Sequence, residues 1–323
     1  LAMNYTREIG ETAADFGVTF EDMPARDIAG QSAAMTWLGA LDAPISGSLR
    51  ASLDESGRLG LLNATLQIAE GVLQPTEATE PVAFSQARVY FSYDPAQQLL
   101  RFDEISVDSK WVSALAEGRA YLVGMESGWP SELLGQFQFR RISANPDGMY
   151  PEPIEVESAV MDMRLRIDPF LLTLGQLSMS DQSSRLVMEG ALEARPEGWT
   201  LALDATMDAL QPDRLLTLWP EGLAKGAREW IGKKMTRADL SNLQFAARFR
   251  PDHDPDVFLG FDYENLDTVF IKDVPPIEAA AGHASLIDSR FVITTDRGHV
   301  TAAQGGRIDI SGTSFIIPDV NIE

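Results

Sequence analysis

Three histidines, His253, His283 and His299, and no cysteine are what this chain offers for metal ligation, proton transfer near neutral pH or thiolate chemistry. His283 and His299 stand in Gly-His-Ala and Gly-His-Val, contexts that read as strand ends, and no histidine is accompanied by a second candidate ligand at metal-site spacing. The nearest approach to a cation loop is Asp252, Asp254 and Asp256 around His253. Alternating carboxylates suit Ca²⁺, but the turn glycine is missing and Tyr263 stands where a bidentate glutamate belongs, so the segment reads as a Pro-containing turn. Gly232-Lys233-Lys234 lacks both the earlier glycine and the following Ser/Thr of a phosphate loop, and neither G-x-S-x-G nor G-x-G-x-x-G occurs. Adjacent carboxylates such as Asp103 and Glu104 point to opposite faces of a strand, which separates them for joint acid/base work. The expectation is a protein without catalytic residues, metal or cofactor.

Charge narrows the partners. The chain has 323 residues, 26 basic against 48 acidic, for a net charge of −22. Lys and Arg displacing counterions drive binding along a nucleic-acid backbone, so nucleic acid is excluded as a partner. At 45% hydrophobic residues a sizeable core is available. No run of 18 apolar residues exists and the N-terminus lacks the regions of a signal peptide. The chain opens without Met and ends on Val320-Asn321-Ile322-Glu323 in a strand-like pattern, which is the expectation for a segment of something longer, with any membrane anchor or export signal outside it.

The elements that would position any site have period two. Ile45, Gly47, Leu49, Ala51 and Leu53 alternate with Ser46, Ser48, Arg50 and Ser52. Asp54-Glu55-Ser56-Gly57 turns the chain, and Leu62, Ala64, Leu66 and Ile68 return on the same face. Ala87, Val89, Phe91 and Tyr93 form a further apolar comb, as do Ala159, Met161, Met163, Leu165 and Ile167. Leu186, Met188, Gly190, Leu192 and Ala194 pair across Pro196-Glu197-Gly198 with Trp199, Leu201, Leu203, Ala205 and Met207, in arms of about nine residues or roughly 30 Å. Phe245, Phe249, Phe261, Phe291 and Ile293 continue the pattern. Such a comb fits either the filled core of a sandwich or a long curled sheet whose inner face holds acyl chains, and periodicity does not separate them. Soft Met161, Met163, Met188 and Met207 on the inner face lean toward the second.

Two helices punctuate the strands. One spans 32–41 with Ala33, Trp37 and Leu41 on a stripe; the other spans 220–235, with Leu223, Ala227, Trp230 and Ile231 on a stripe and Glu221 ahead of Lys225 in the favourable i, i+4 order. Its outer face carries Lys225, Arg228, Lys233 and Lys234, candidates for docking an anionic partner or lipid headgroups. The expected organisation is 1–215, a β portion with the short helix, and 216–323, the second helix followed by a C-terminal β portion, continuous with each other.

Leu218-Trp219-Pro220 followed by Ala227-Arg228-Glu229-Trp230-Ile231 resembles the central region of YhdP-type proteins in the AsmA-like superfamily. Phe261-Asp262-Tyr263, Val274-Pro275-Pro276-Ile277, Gly282-His283-Ala284-Ser285-Leu286, Phe291-Val292-Ile293 and Asp296-Arg297-Gly298 fit the same pattern. Looser upstream pieces, Ala43 to Gly47, Phe91 to Pro95 and Asp168-Pro169-Phe170, are similar to an alphaproteobacterial member. The resemblance implies a mostly β fold, an elongated, curled, antiparallel-rich sheet shaped as a taco-like groove or open sandwich with a few short helices. It implies a periplasmic location, an inner-membrane anchor absent from this chain, and conduction of phospholipid toward the outer membrane, with envelope proteins as further partners. The lipid-contacting residues would then be Leu49, Leu53, Leu62, Leu66, Val89, Phe91, Met161, Met163, Leu165, Ile167, Leu186, Met188, Leu192, Leu201, Leu203, Phe245, Phe249, Phe261, Phe291 and Ile293. The alternative is a non-enzymatic periplasmic scaffold or envelope-assembly protein with a closed, dry β core.

Overall fold

The computed structural model describes residues 1–10, 12–31, 38–125, 130–181, 184–222, 225–269, 275–302 and 304–320. Among them 66% are in strands and 9% in helices, arranged as one large antiparallel sheet of 21 strands that does not close, with three short helices. The mostly β, antiparallel fold read from the alternation is the fold observed. No helix among the described residues is long and apolar enough to cross a membrane.

The strands run in chain order. The first group is β1 (Ala2–Arg7), β2 (Ala14–Pro24), β3 (Leu41–Asp42), β4 (Pro44–Leu53), β5 (Leu59–Ile68), β6 (Gly71–Leu73), β7 (Val82–Asp94), β8 (Leu99–Ser109), β9 (Val112–Val123) and β10 (Glu132–Ala144). Then come β11 (Ile154–Val156), β12 (Ala159–Arg166), β13 (Leu171–Asp181), β14 (Ser184–Arg195) and β15 (Gly198–Leu210). The last are β16 (Met235–Phe249), β17 (Asp256–Thr268), β18 (Ile277–Ile287), β19 (Arg290–Thr301), β20 (Arg307–Asp309) and β21 (Thr313–Ile317). The helices are α1 (Ala25–Ala29), α2 (Pro212–Leu218) and α3 (Lys225–Lys234). Two compact units result: 1–147 with 155–177 and 190–200, and 148–154 with 178–189 and 201–323.

In the first unit most strands pair with their chain neighbours, as hairpins dictate. β2 lies between β1 and β4, β5 between β4 and β7, and β8, β9, β10 and β12 follow in order. The β4–β5 turn is built by Asp54, whose Oδ1 accepts hydrogen bonds from the Ser56 and Arg58 amides at 2.8 and 3.0 Å. The expected helix at 32–41 falls largely on residues 32–37, outside the described residues. Leu38–Ala40 is a 3₁₀ turn, and Leu41 is already extended, paired with Leu73 of β6.

In the second unit β15 to β19 form a meander whose inner face is covered by α2 and α3. α2 carries Pro212 at its start, where the missing N–H is no loss, and the alternation of the flanking strand does not announce it. The second expected helix is present as α3, but it starts at Lys225, so Glu221 precedes it. The i, i+4 ion pair it contains joins Glu229 to Lys233 at 2.7 Å. Ile231 of the expected stripe is fully buried, while Leu223 lies outside the described residues, as does Val274 of the family-like segment.

Candidate functional site

Residues directly opposite in an antiparallel ladder share a face, so the pairing registers trace the faces of the first unit. Met3, Val18, Leu49, Ala64, Phe91, Phe102, Gly118, Phe137 and Met161 form one row, each opposite the next, from β1 to β12. Beside it runs a second: Tyr5, Phe16, Ala51, Leu62, Tyr93, Leu100, Ala120, Gly135 and Met163. A third contains Phe20, Gly47, Leu66, Val89, Ile105, Ala116, Phe139 and Ala159. No polar side chain but the phenols of Tyr5 and Tyr93 interrupts the three rows. On the opposite face Arg50, Asn63, Ser92, Arg101, Arg119, Gln136 and Asp162 make a polar row, knitted by Arg119 Nη2 to Gln136 Oε1 at 2.7 Å and Gln136 Nε2 to Asp162 Oδ1 at 3.1 Å.

Size alternates across the apolar face. β9 presents Ala114, Ala116, Gly118 and Ala120, while the strands on either side present Phe102 and Phe137, whose rings meet over Gly118 with centroids 5.7 Å apart. Phe91 extends this aromatic strip, 5.9 Å from Phe102. The small residues are buried beneath the rings, Ala116 at 5% and Ala120 at 0% exposure, and Phe137 at 6% is wedged between neighbours. The large side chains around them, Phe16, Val18, Leu49, Leu62, Leu66, Val89, Phe91, Phe102, Met161 and Met163, are only half-buried. Cover is local: α1 packs Ala25 and Ile28 with Leu38 and Leu41 against Phe20, Ile45 and Ile68 at one end of β2, β4 and β5.

The same unit contains a contact across the sheet. Trp199 Nε1, at the start of β15, donates to the carbonyl oxygen of Glu80, in the loop leading into β7, at 2.9 Å. β8, β9, β10, β12, β13 and β14 lie between those strands in the ladder. On a flat sheet the two residues would be roughly 30 Å apart at about 4.8 Å per strand. The sheet of this unit is therefore strongly curled. β7 and β15 run in opposite directions, so their starting ends belong to opposite rims, and these rims meet at Trp199.

In the second unit the inner face is filled. Leu215 of α2, Trp219 directly after it, Ile231 of α3 and Met235 pack against Leu240, Leu259, Phe261, Tyr263, Leu286, Phe291 and Ile293. Arg228 holds the two helices together, donating from Nε to Trp219 O and from Nη2 to Leu216 O, each at 3.2 Å. Tyr263 is 1% exposed and donates to Thr294 O at 2.9 Å; burial pushes its phenol above its ordinary pKa.

The sequence-derived residues thus divide. Leu49, Leu53, Leu62, Leu66, Val89, Phe91, Met161, Met163, Leu165 and Ile167 stand half-buried in the first unit, as does Leu192. Leu186, Met188, Leu201, Leu203, Phe245 and Phe249 are half-buried in the second, whereas Phe261, Phe291 and Ile293, at 3%, 0% and 6% exposure, are core beneath the helices. Of the basic helix residues, Lys225 is exposed, Lys233 is paired with Glu229, Lys234 is partly buried and Arg228 is engaged with backbone carbonyls. Asp256 is paired with Arg250, and no group of three His, Asp or Glu among the described residues is placed to hold a metal. Sequence reasoning missed Phe102 and Phe137, the centre of the aromatic strip. The chain, compared with protein-family profiles, with curated proteins and with solved structures, matches none of them.

Proposed function

We propose that this chain binds phospholipid by its acyl chains along the apolar face of the first unit, as one segment of a conduit running from an inner-membrane anchor outside this chain toward the outer membrane. The observation that carries the reading is the set of three contiguous apolar rows with large, half-buried side chains on a strongly curled sheet. A contiguous apolar surface of this kind marks a binding site in a protein that must stay dissolved. Each acyl methylene moved from water onto it contributes about 0.8 kcal/mol, so a dozen supply roughly 10 kcal/mol before the losses of association. A uniform apolar track keeps neighbouring positions nearly equal in energy, which permits sliding. The polar row on the other face keeps the sheet in solution. The direction, the periplasmic setting and envelope-protein partners follow from the resemblance to YhdP-type proteins.

The filled second unit favours a second reading, a scaffold whose sheets are packed and dry. Native mass spectrometry with lipid extraction separates the two. Purified chain is expected to carry phospholipid at near one molecule or more, and Val89→Asp or Leu165→Asp to lose it while retaining the β-sheet spectrum, because both positions are half-buried. A well-folded chain that neither retains lipid nor takes it from phospholipid vesicles establishes the scaffold instead.

A further inference from the structure

The hydrogen bond from Trp199 to Glu80 joins the rims of the first unit between two locally built pieces. On one side is the Pro196-Glu197-Gly198 turn, with Gly198 at φ 129°, which leads into Trp199, whose ring meets Phe170 edge-on at 5.6 Å and 83°. The other side is the loop 74–81, rigid by its own bonds. Thr76 N donates to Thr79 Oγ1 and Thr79 N to Thr76 Oγ1, both at 3.2 Å, Thr79 Oγ1 donates to Thr76 O at 2.7 Å, and Gln74 Nε2 reaches Thr79 O at 2.9 Å. Thr79 is 2% exposed. Two preformed pieces therefore meet at an indole N–H and a carbonyl oxygen, with Glu80 itself exposed to solvent. Parts that are each held by their own local bonds can separate without unfolding either.

We propose that Trp199 and the 74–81 loop form a latch that closes the rims over the apolar rows, and that its opening admits an acyl chain from the side. This rests on the lipid-holding reading of those rows. A lipid whose headgroup stays in water cannot enter a closed rim without dragging that headgroup across apolar surface, which is unfavourable for a charged group; a rim that parts removes this barrier.

The chain has no cysteine, so Glu80→Cys with Glu197→Cys places the molecule's two thiols on the two sides of the latch. Spin labels there are expected to give two distance populations without lipid, and Trp199→Phe, which keeps an aromatic ring and removes the donor, to enrich the longer one severalfold. A single distance unmoved by Trp199→Phe would overturn the latch. Joining the thiols with a short bis-maleimide is expected to slow uptake of acyl-labelled phosphatidylglycerol from vesicles at least tenfold, whereas the unlinked pair loads like the parent chain. Equal uptake with and without the link overturns side entry and leaves the lipid site standing. No uptake in either form overturns the lipid reading and the gate together.

Discussion

Trp199 Nε1 lies 2.9 Å from the carbonyl oxygen of Glu80, 119 positions earlier in the chain, and this bond ties opposite rims of a curled sheet. A neutral N–H to carbonyl bond contributes about 0.5–1.5 kcal/mol, and the edge-on pair with Phe170 a similar amount. Trp199→Phe is therefore expected to lower stability by about 1 kcal/mol and Trp199→Ala by roughly 2–4 kcal/mol with the buried ring area included. Urea denaturation checks the magnitudes. Amide exchange checks the place, with faster exchange expected at 76–80 and little change at β16–β19.

Gly118 allows Phe102 and Phe137 to meet. A Cβ there would fall 2.6 Å from Phe137 Cδ1 and also against the Gln136 carbonyl. Gly118→Ala is expected to destabilise the first unit by about 1–3 kcal/mol, the usual range for overpacking. Adding Phe137→Leu should recover part of it and not all, because the carbonyl clash remains; thermal melts of the two variants test the ordering.

Arg228 sits in the segment a sequence reading offers for docking, yet it bonds the carbonyls at the end of α2. Arg228→Ala leaves Leu216 O and Trp219 O without this donor and is expected to cost about 1.5–3 kcal/mol, the range for bonds to charged groups. Arg228→Lys keeps the charge and loses the fork, so it should restore less than half of that in denaturant unfolding. Substituting exposed Lys225 should leave stability unchanged.

Asp54 reports acid stability at the β4–β5 turn. The Ser56 hydroxyl, then the Arg58 amide, bond its carboxylate and lower its pKa from 3.8 to about 2. A depressed carboxyl stabilises the folded state fully above pH 3.8, and that contribution disappears as pH falls through about 2. NMR titration of the Asp54 carboxyl should show the low midpoint, and Asp54→Asn should flatten the acid limb of turn stability in that window.

The strands legible in the sequence are those whose alternation is unbroken. Leu62, Ala64, Leu66 and Ile68 face Tyr93, Phe91, Val89 and Ala87 as the combs require. In β8 the register shifts between Phe102 and Ile105, so the inward positions pass from even to odd numbers. In β10 a shift between Phe139 and Arg141 moves them from odd to even. A bulge inserts a residue without marking the pattern, which hides Phe102 and truncates the run containing Phe137. α2 is missed for another reason: its seven residues are too few to establish a helical period.

The sequence by itself determined the local terms: extended strands from alternating side chains, the Asp54 and Pro196-Glu197-Gly198 turns, the helix after Pro220, and two chemically opposite faces. These depend on residues within a few positions of one another. Whether an apolar face is covered or open depends on segments far apart in the chain and on the accumulated curl of many strands. Only the tertiary structure decided that α2 and α3 bury Phe261, Phe291 and Ile293. It alone left Val89, Phe91 and Met161 half-exposed on a face whose rims meet at Trp199 and Glu80.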